Sequence, residues 1–278
     1  MKEEVKFHIS PLHWLRQRIF LFRHPWIDII EYIALVALII WLMSMSTARL
    51  GYYWQWFRVP RYLFQIKEGR LVAGRLIQGL FFTFRISGVS LVLAFSVGLT
   101  AALVRLSGSF MGRILSRVYL ETIRNTPLIV QIYLMYFVIG PIFGLGRFGS
   151  AVLALTMFEG AYMSEIFRAG IVSLHKGQWE AAQSLGLSGY YTYRDVILPQ
   201  AIRRILPPLT GEVISLIKNS ALVSIVSLSD LALQAKIIAA DTFLTFEIWF
   251  TAAAIYLVIT IALSTLAYNL EKRFKILT

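Results

Sequence analysis

Ionisable and amide side chains interrupt two of the long apolar stretches in this sequence. Glu159 lies near the middle of the run 149–170, and Lys218 and Asn219 lie near the middle of the run 205–228. An ionised carboxylate at the centre of a lipid-spanning helix costs about 2.5–3.5 kcal/mol, so such a group needs a partner. Glu159 therefore binds a cationic group of a ligand, pairs with Lys218, or stays neutral and hydrogen-bonded.

Other polar residues in the apolar stretches have weaker claims to ligand chemistry. The Lys218 ammonium group can meet a ligand carboxylate as well as neutralise the buried acid. Thr126 and Gln131 are candidates for the path of a polar ligand, although a capping threonine and a helix-facing glutamine are more often structural. Glu165 lies about 120° further round the helix than the buried acid. Its spacing from Arg168 predicts an i,i+3 ion pair.

These residues must be positioned by membrane-spanning helices. Of the 278 residues, 58% are hydrophobic and 15% charged, and the apolar runs are long enough to cross a bilayer. The third run contains Asn125-Thr126-Pro127, where Asn125 or Thr126 can cap a helix that accepts Pro127 in its first turn, so we expect a break near Thr126. The sequence predicts an all-α integral membrane protein with about six spans, at 27–46, 79–104, 119–143, 149–170, 205–228 and 246–269.

Several kinds of chemistry are excluded by composition. The chain contains no cysteine and no Gly-Lys dipeptide, so it has neither a thiolate metal site nor a Walker A loop. Its four histidines lie outside the apolar runs without metal-ligand spacing, and we expect no cofactor. The net charge of +12 comes from basic residues that flank the spans, which suits lipid headgroups rather than nucleic acid.

The basic residues also predict orientation. With the N-terminus in the cytoplasm, 16 of the 27 lysines and arginines lie inside and eight outside, so cytoplasmic N- and C-termini are favoured. The segment 47–78 opposes this pattern, because it would place six basic residues outside. Either this aromatic segment lies on the membrane surface as an amphipathic element, or the first apolar run does not fully span.

A polar segment separates the fourth and fifth apolar runs. Glu180–Leu185 favours a helix, Gly186 can adopt the positive φ that ends it, and Ser188 suits the N-cap of a second short helix. Leu198-Pro199 is expected to stop that helix and return the chain to the membrane. From the residues alone, this helix–turn–helix is equally an amphipathic loop on headgroups or a docking surface for a soluble partner.

The same segment resembles the EAA signature of importer-type ABC transporter permeases. The signature is Glu180-Ala181-Ala182, three residues, Gly186, nine residues, Val196 where the family usually has isoleucine, one residue, and Leu198-Pro199. Four further stretches resemble the polar amino acid uptake subfamily within a resemblance that covers roughly 74–275: RNTPLIVQIYLMYF at 124–137, AYMSEIFRAGI at 161–171, LPQAIRRILPPLTGEVISLIKNSALVSIVSL at 198–228, and NLEKRF at 269–274.

The resemblance implies a transport subunit rather than an enzyme. It implies two permease chains, identical or paralogous, two cytoplasmic ATPase subunits, and an extracytoplasmic binding protein that delivers a polar amino acid across the bacterial inner membrane. Family members commonly have five spans and an outside N-terminus. We therefore expect an N-terminal extension at 1–78 with one extra span and a permease domain at 79–278.

The resemblance also assigns roles to residues. The loop at about 176–200 becomes the coupling helix, whose ATPase-contacting positions would be Glu180, Ala181, Ala182, Gly186, Leu198 and Pro199. Glu165 and Arg168 belong to an ordinary motif of the family and are interpreted as structural or gating residues. Glu159 is then a candidate ligand for the α-ammonium or a cationic side chain of the substrate.

Two other classes of function compete with this interpretation. A secondary carrier would use Glu159 to bind a coupling proton, and it would have no need for an ATPase-docking loop. A regulatory or assembly membrane protein would use the same loop to bind a soluble partner without transport.

Overall fold

The computed structural model describes Trp26, residues 29–38, Trp41 and residues 51–274. The chain forms two compact units, Met1–Trp54 and Gln55–Thr278. In the first unit the described helix is α1 (Ile29–Leu38), which falls within the first predicted span, and most of the rest of that span lies outside the described residues. Residues 55–78, which we had assigned to the N-terminal extension, belong to the same compact unit as the permease helices.

The second unit is mainly helical, as predicted. A single 3₁₀ turn at Trp56–Arg58 and a β-hairpin of β1 (Phe64–Lys67) and β2 (Arg70–Ala73) precede the long helices. The hairpin is an addition to the all-α prediction. The helices are α2 (Pro60–Leu63), α3 (Arg75–Leu106), α4 (Phe110–Arg124), α5 (Leu128–Ile142), α6 (Arg147–Val172), α7 (Lys176–Ser184), α8 (Gly189–Val226), α9 (Leu231–Thr242) and α10 (Thr245–Phe274).

Helices occupy each of the five predicted spans from residue 79 onward. Three of them, α3, α8 and α10, are long and apolar enough to cross a membrane, and the bent pair of α4 and α5 adds a fourth. Helix α6 has 26 residues and carries Glu159, Glu165 and Arg168, and it is not among the helices that are apolar enough by this measure. Helical structure is thus confirmed at these positions, and the count of six spans stays a prediction.

The predicted break near Thr126 is present, but its caps differ from our expectation. Helices α4 and α5 meet at a bend of 108°. Pro127 occupies the N-cap of α5 in an extended conformation, which is the conformation that ends α4. The Asn125 amide and the Thr126 hydroxyl instead donate backwards to the Glu121 and Thr122 carbonyl oxygens, at 2.8 and 2.7 Å. Neither residue therefore caps α5. A proline disfavours the α-helical conformation of the residue before it, so α4 ends before Pro127, and Pro127 itself takes the N-cap position of α5.

Close packing of α3 on α6 forms the centre of the second unit. The buried face of α3 carries small residues, among them Ser87, Ser90, Ala94 and Gly98. A Cβ atom on Gly98 would lie 2.8 Å from the Gly160 carbonyl oxygen of α6, so the two backbones approach at this point. Small residues permit such close approach of helices in a membrane, where dispersion contacts rather than hydrophobic burial hold helices together.

A second core lies where α3 begins and α9 packs. Leu76, Leu231, Ile238 and Ile248 are fully buried there. The buried Asp230 caps α9, since its carboxylate accepts hydrogen bonds from the backbone N–H groups of residues 232 and 233 at 3.1 and 2.9 Å. Burial raises the pKa of Asp230 to about 6, and the two backbone bonds oppose that shift.

The turn between α7 and α8 is a Schellman motif. Gly186 has φ +74°, its N–H donates to the Gln183 carbonyl at 2.9 Å, and the Leu187 N–H donates to the Ala182 carbonyl at 3.1 Å. Ser188 takes the N-cap position of α8, although its side chain accepts no capping hydrogen bond. These hydrogen bonds satisfy the last carbonyl groups of α7, and Gly186 has the positive φ that the sequence pattern predicted.

The expectation that Leu198-Pro199 would stop the second helix is wrong. Helix α8 continues from Gly189 through Pro199 to Val226. A π-helical stretch at Thr192–Ile197 comes directly before Leu198. Because π-helical hydrogen bonds join residues i and i+5, the backbone is widened where a proline would otherwise clash with the preceding turn. The proline is therefore accommodated inside one continuous helix.

Candidate functional site

Glu159 is the most deeply buried acid among the predicted site residues. It lies on α6 with none of its surface exposed. The Asn219 amide of α8 donates a hydrogen bond to Glu159 Oε1 at 2.9 Å. Glu159 Oε2 receives no hydrogen bond from the described part of the chain. Two of the predicted pathway residues are thus brought together, and one carboxylate oxygen remains available for another group.

A second acid, Glu212, lies beside this pair. Its carboxyl group, on α8, lies close to that of Glu159 and is only partly buried. Two ionised carboxylates are both acceptors and cannot hydrogen-bond each other. The pair therefore needs a shared proton or a cationic group. Sequence reasoning missed Glu212, although it precedes Asn219 by seven residues, which is two helical turns along the same face.

Lys218 does not neutralise Glu159. Its side chain is exposed, and it forms no ion pair with any residue that the structure describes. Helical geometry explains the difference, because neighbouring positions point about 100° apart and Asn219 takes the position that faces α6. The interpretation of Glu159 and Lys218 as an internal ion pair is therefore wrong for this structure.

Thr126 and Gln131 belong to a different place, at the bend between α4 and α5. Gln131 is buried, and its Nε2 donates to the Ile123 and Thr126 carbonyl oxygens at 2.8 and 2.9 Å. Both predicted residues line a partly open cavity of about 230 Å³ that does not include Glu159. The observed bonds of Gln131 satisfy carbonyl groups at the end of α4, which is a structural role.

The Glu165 carboxylate links α6 to α3 through ion pairs. Its carboxylate pairs with Arg168 at 3.0 Å, which is the i,i+3 pair predicted from spacing, and it also binds Arg105 of α3. Each of the three side chains is 25–32% exposed, so water partly screens the ion pairs. The Arg105 contact joins residues 60 positions apart and could not be anticipated from local spacing.

The segment with the EAA pattern has an exposed surface, and buried and aromatic side chains beneath it hold α7 against α8. Glu180, Ala181 and Gly186 are exposed, whereas Ala182 is buried. The rings of Trp179 and Tyr193 meet edge to face with centroids 4.8 Å apart, which ties α7 to α8.

Apolar side chains extend the exposed part of this surface. Leu185, at the turn, is 80% exposed, and Tyr190, in the first turn of α8, is 68% exposed. Leu198 and Pro199 are also exposed, and they follow the π-helical stretch Thr192–Ile197 of α8. Such a cluster of exposed apolar residues on a rigid base is typical of a surface that binds another protein.

Comparison with known proteins gives this arrangement a family. Residues 94–276 match the family described as the binding-protein-dependent transport system inner membrane component. The chain belongs to this family. The recognition of an importer-type ABC permease of the polar amino acid uptake group, made from the sequence, is confirmed.

Individual relatives agree with the family match. The permease is 39% identical over 205 residues to the glutamine transport system permease protein GlnP of Escherichia coli (strain K12), which covers 73% of this chain and 94% of that protein. It is 34% identical over 200 residues to the putative glutamine transport system permease protein GlnP of Rickettsia typhi (strain ATCC VR-144 / Wilmington), covering 71% of this chain and 92% of the relative.

Solved structures show the same fold. A crystal structure of an amino acid ABC transporter with histidines matches with a TM-score of 0.68 at 39% identity, and it covers 72% of this chain and 94% of that one. The methionine ABC transporter MetNI in an inward-facing conformation matches with a TM-score of 0.61 at 18% identity, over 72% and 96% of the two chains. That second likeness supports the fold alone.

Membership in the family settles two further points. The permease is a transport subunit of the inner membrane and not an enzyme, because ATP hydrolysis in ABC importers belongs to separate subunits.

The alignments with the relatives leave about a quarter of the chain uncovered. The family match begins at residue 94, so the hairpin of β1 and β2 lies before it.

Proposed function

We propose that this permease is the membrane subunit of an ATP-driven importer for a polar amino acid that an extracytoplasmic binding protein delivers. The proposal is supported by the amino acid permeases among its relatives. The observation that carries it is the exposed EAA surface at the start of α8, because a docking surface for an ATPase is what separates an ABC importer from other carriers.

Helix α8 supplies the mechanical connection. One continuous helix runs from Gly189, beside the coupling turn, to Val226, and it carries both Glu212 and Asn219. A movement imposed on α7 by closure of two cytoplasmic ATPase subunits would therefore reach the buried acid without passing through a flexible joint. We propose that Glu180, Ala181 and Gly186 contact the ATPase, that the buried Ala182 supports this surface from below, and that α8 transmits the movement as a rigid body.

Leu198 and Pro199 have a different part in this proposal. Because they lie inside α8 rather than at its end, they no longer serve to turn the chain. The widened stretch before Pro199 is where the continuous helix leaves the coupling surface. We propose that both residues extend the ATPase-contacting face.

For the substrate site, we propose that Glu159 binds the α-ammonium group or a cationic side chain. Its Oε2 is buried without a hydrogen bond from the described residues, and Glu212 adds a second acceptor beside it. Every amino acid carries an α-ammonium group, so an acidic pair suits the class without naming its member. Lys218, Thr126 and Gln131 do not reach this pair by any described hydrogen bond, and we propose no direct substrate contact for them.

The assembly would contain a second permease chain, identical or paralogous. The added N-terminal helix would keep the N- and C-termini in the cytoplasm and leave the remaining spans in the family orientation, which agrees with the distribution of basic residues. Glu165, Arg168 and Arg105 would hold α3 and α6 together near the cytoplasmic ends during the cycle.

One observation favours a second candidate function. Because the carboxyl groups of Glu159 and Glu212 lie close together, they can share a proton, and a proton-coupled secondary carrier would use such a pair. The exposed EAA surface has no use in that mechanism.

Uptake of labelled amino acids distinguishes the two candidates. Proteoliposomes would contain this permease, its partner permease, the ATPase and the binding protein, with ATP inside or with an imposed pH gradient and no ATP. We expect uptake only with both ATP and the binding protein. Uptake driven by the pH gradient alone would make the permease a secondary carrier and would contradict the proposal.

A further inference from the structure

The hairpin before α3 has two chemically different faces. Strands β1 and β2 pair in register, with Phe64 opposite Ala73 and Ile66 opposite Leu71. Since successive side chains alternate across a strand, these four residues share one face. Ile66 is 79% exposed and Leu71 72%, and Phe64 is also exposed. One face of the ribbon is therefore wholly apolar and lacks a covering element in the described chain.

The other face and the turn are polar. Gln65 and Arg70 lie on that face by register, and Val72 is the apolar residue among them. Arg70 is exposed and has no hydrogen-bond or ion-pair partner among the described residues. The turn is formed by Glu68 and Gly69, both with positive φ, as in the two-residue turns that match the twist of a hairpin.

The hairpin is fixed to the start of α3. Gly74 is the single residue between β2 and α3, and its N–H donates to the Leu63 carbonyl oxygen at 2.7 Å. A Cβ atom at Gly74 would lie 2.3 Å from the Tyr62 carbonyl oxygen, so the chain passes tightly against α2. Tyr62 and Leu76 are both buried in the core around α9. The hairpin is consequently held in one position relative to the membrane-spanning helix.

The length of α3 indicates the depth at which the hairpin lies relative to the bilayer. Arg75 and Arg105 stand at the two ends of this helix, 30 residues apart, which corresponds to about 45 Å. A bilayer including its headgroup regions is about 40–45 Å thick. The two arginines therefore match the two headgroup layers, and a hairpin that joins α3 at Arg75 lies at headgroup level.

We propose that the apolar face of this hairpin inserts into the lipid interface, while Arg70 on the opposite face meets the phosphates of anionic headgroups. The occupant of the exposed face is thus the bilayer. An interfacial element needs an apolar side for the acyl boundary and a basic side for the headgroups, and this ribbon has both. Arg75, at the start of α3, is paired with Asp241 at 3.3 Å, whereas Arg70 has no partner among the described side chains.

Site-directed spin labelling tests this placement. The sequence contains no cysteine, so Ile66→Cys and Gln65→Cys each introduce a unique labelling site without removal of native thiols. The labels stand at adjacent positions on opposite faces of one strand, which makes Gln65→Cys the matched control. Both residues are at least partly exposed, so the substitutions leave the core intact. Each labelled variant would be reconstituted as the assembled transporter in vesicles of phosphatidylcholine and phosphatidylglycerol.

The expected result is a reversal of accessibility between the two labels. The label at 66 should collide several-fold more often with oxygen, which concentrates in lipid, than with a water-soluble nickel complex. The label at 65 should show the opposite preference. Equal exposure of both labels to the nickel complex would overturn the proposal. So would protection of the label at 66 that appears only after the binding protein is added, because the face would then be a protein-docking surface.

Lipid composition provides a second readout. Replacing phosphatidylglycerol by phosphatidylcholine should move the label at 66 towards water, and Arg70→Gln should reduce this dependence on anionic lipid. A label position that is the same in both lipid mixtures and in both variants would contradict the part assigned to Arg70.

Discussion

The contact between α3 and α6 and the turn between α7 and α8 both require glycine, but for different physical reasons. In the first, a Cβ atom on Gly98 would lie 2.8 Å from the Gly160 carbonyl oxygen, so neighbouring atoms exclude a side chain. In the second, Gly186 has open space around it, and its φ of +74° is a conformation in which other residues are strained. The interior is constrained by packing, and the coupling surface by backbone conformation.

The same contrast applies to the polar groups of the two regions. Glu159 is completely buried and depends on Asn219 and Glu212, whereas Glu180 is exposed and depends on what a partner protein offers. Substitutions inside the membrane should therefore affect stability or substrate use. Substitutions on the coupling surface should leave the permease folded and affect only its response to ATP.

Replacing the buried acid should have the largest effect on substrate affinity. Glu159→Gln keeps the size of the side chain and an oxygen for the Asn219 amide, but it removes the negative charge. We expect the KM for amino acid uptake to rise at least about tenfold, which corresponds to about 1.4 kcal/mol or more of lost binding. The measurement is uptake against substrate concentration in proteoliposomes, with Glu121→Gln, at an exposed position on α4, expected to leave KM unchanged. An unchanged KM in Glu159→Gln would remove Glu159 from the substrate site.

A methyl group at the helix contact should reduce stability. Gly98→Ala places a Cβ atom against the backbone of α6, and overpacking of this kind costs about 1–3 kcal/mol. Gly88→Ala on the same helix has no atom within 4 Å of the new Cβ and should be neutral or slightly stabilising. Thermal unfolding in detergent compares the pair. Equal melting temperatures for the two variants would show that α3 and α6 are not in close contact at Gly98.

The ion pairs of Glu165 should have the smallest effect. Arg105→Gln removes the link from α3 to Glu165, and because the side chains are partly exposed we expect a loss of only about 0.2–1 kcal/mol. Arg113→Gln, at an exposed position on α4, serves as the control for loss of one positive charge. Thermal unfolding would be measured at low and at high salt, and the difference in stability between the two variants should be smaller at high salt. A difference in stability that does not change with salt would argue against an ion pair.

The sequence predicted residues whose constraint is local and missed those whose constraint is distant. Gly186 was predicted because a helix end followed by glycine has a local signal. Glu159 and Asn219 were singled out because polar groups are conspicuous in apolar runs. Glu212 and Arg105 were missed, since each acquires its role from a residue more than 50 positions away. Pro199 was misjudged because a widened helical stretch can accommodate proline, and local pattern does not reveal it.

The central claim is that the turn between α7 and α8 couples ATP hydrolysis to transport, and one pair of variants tests it most directly. Gly186→Ala and Gly189→Ala lie three residues apart, and an added Cβ has open space at both positions. They differ in backbone conformation, because of the two only Gly186 has positive φ. The measurement is binding-protein-stimulated ATP hydrolysis together with ATP-dependent uptake in proteoliposomes.

We predict that Gly186→Ala loses uptake and the stimulation of ATP hydrolysis while the permease stays folded and assembled, and that Gly189→Ala retains both activities. Wild-type uptake and stimulation in Gly186→Ala would contradict the account, because the conformation of this turn would then have no part in coupling.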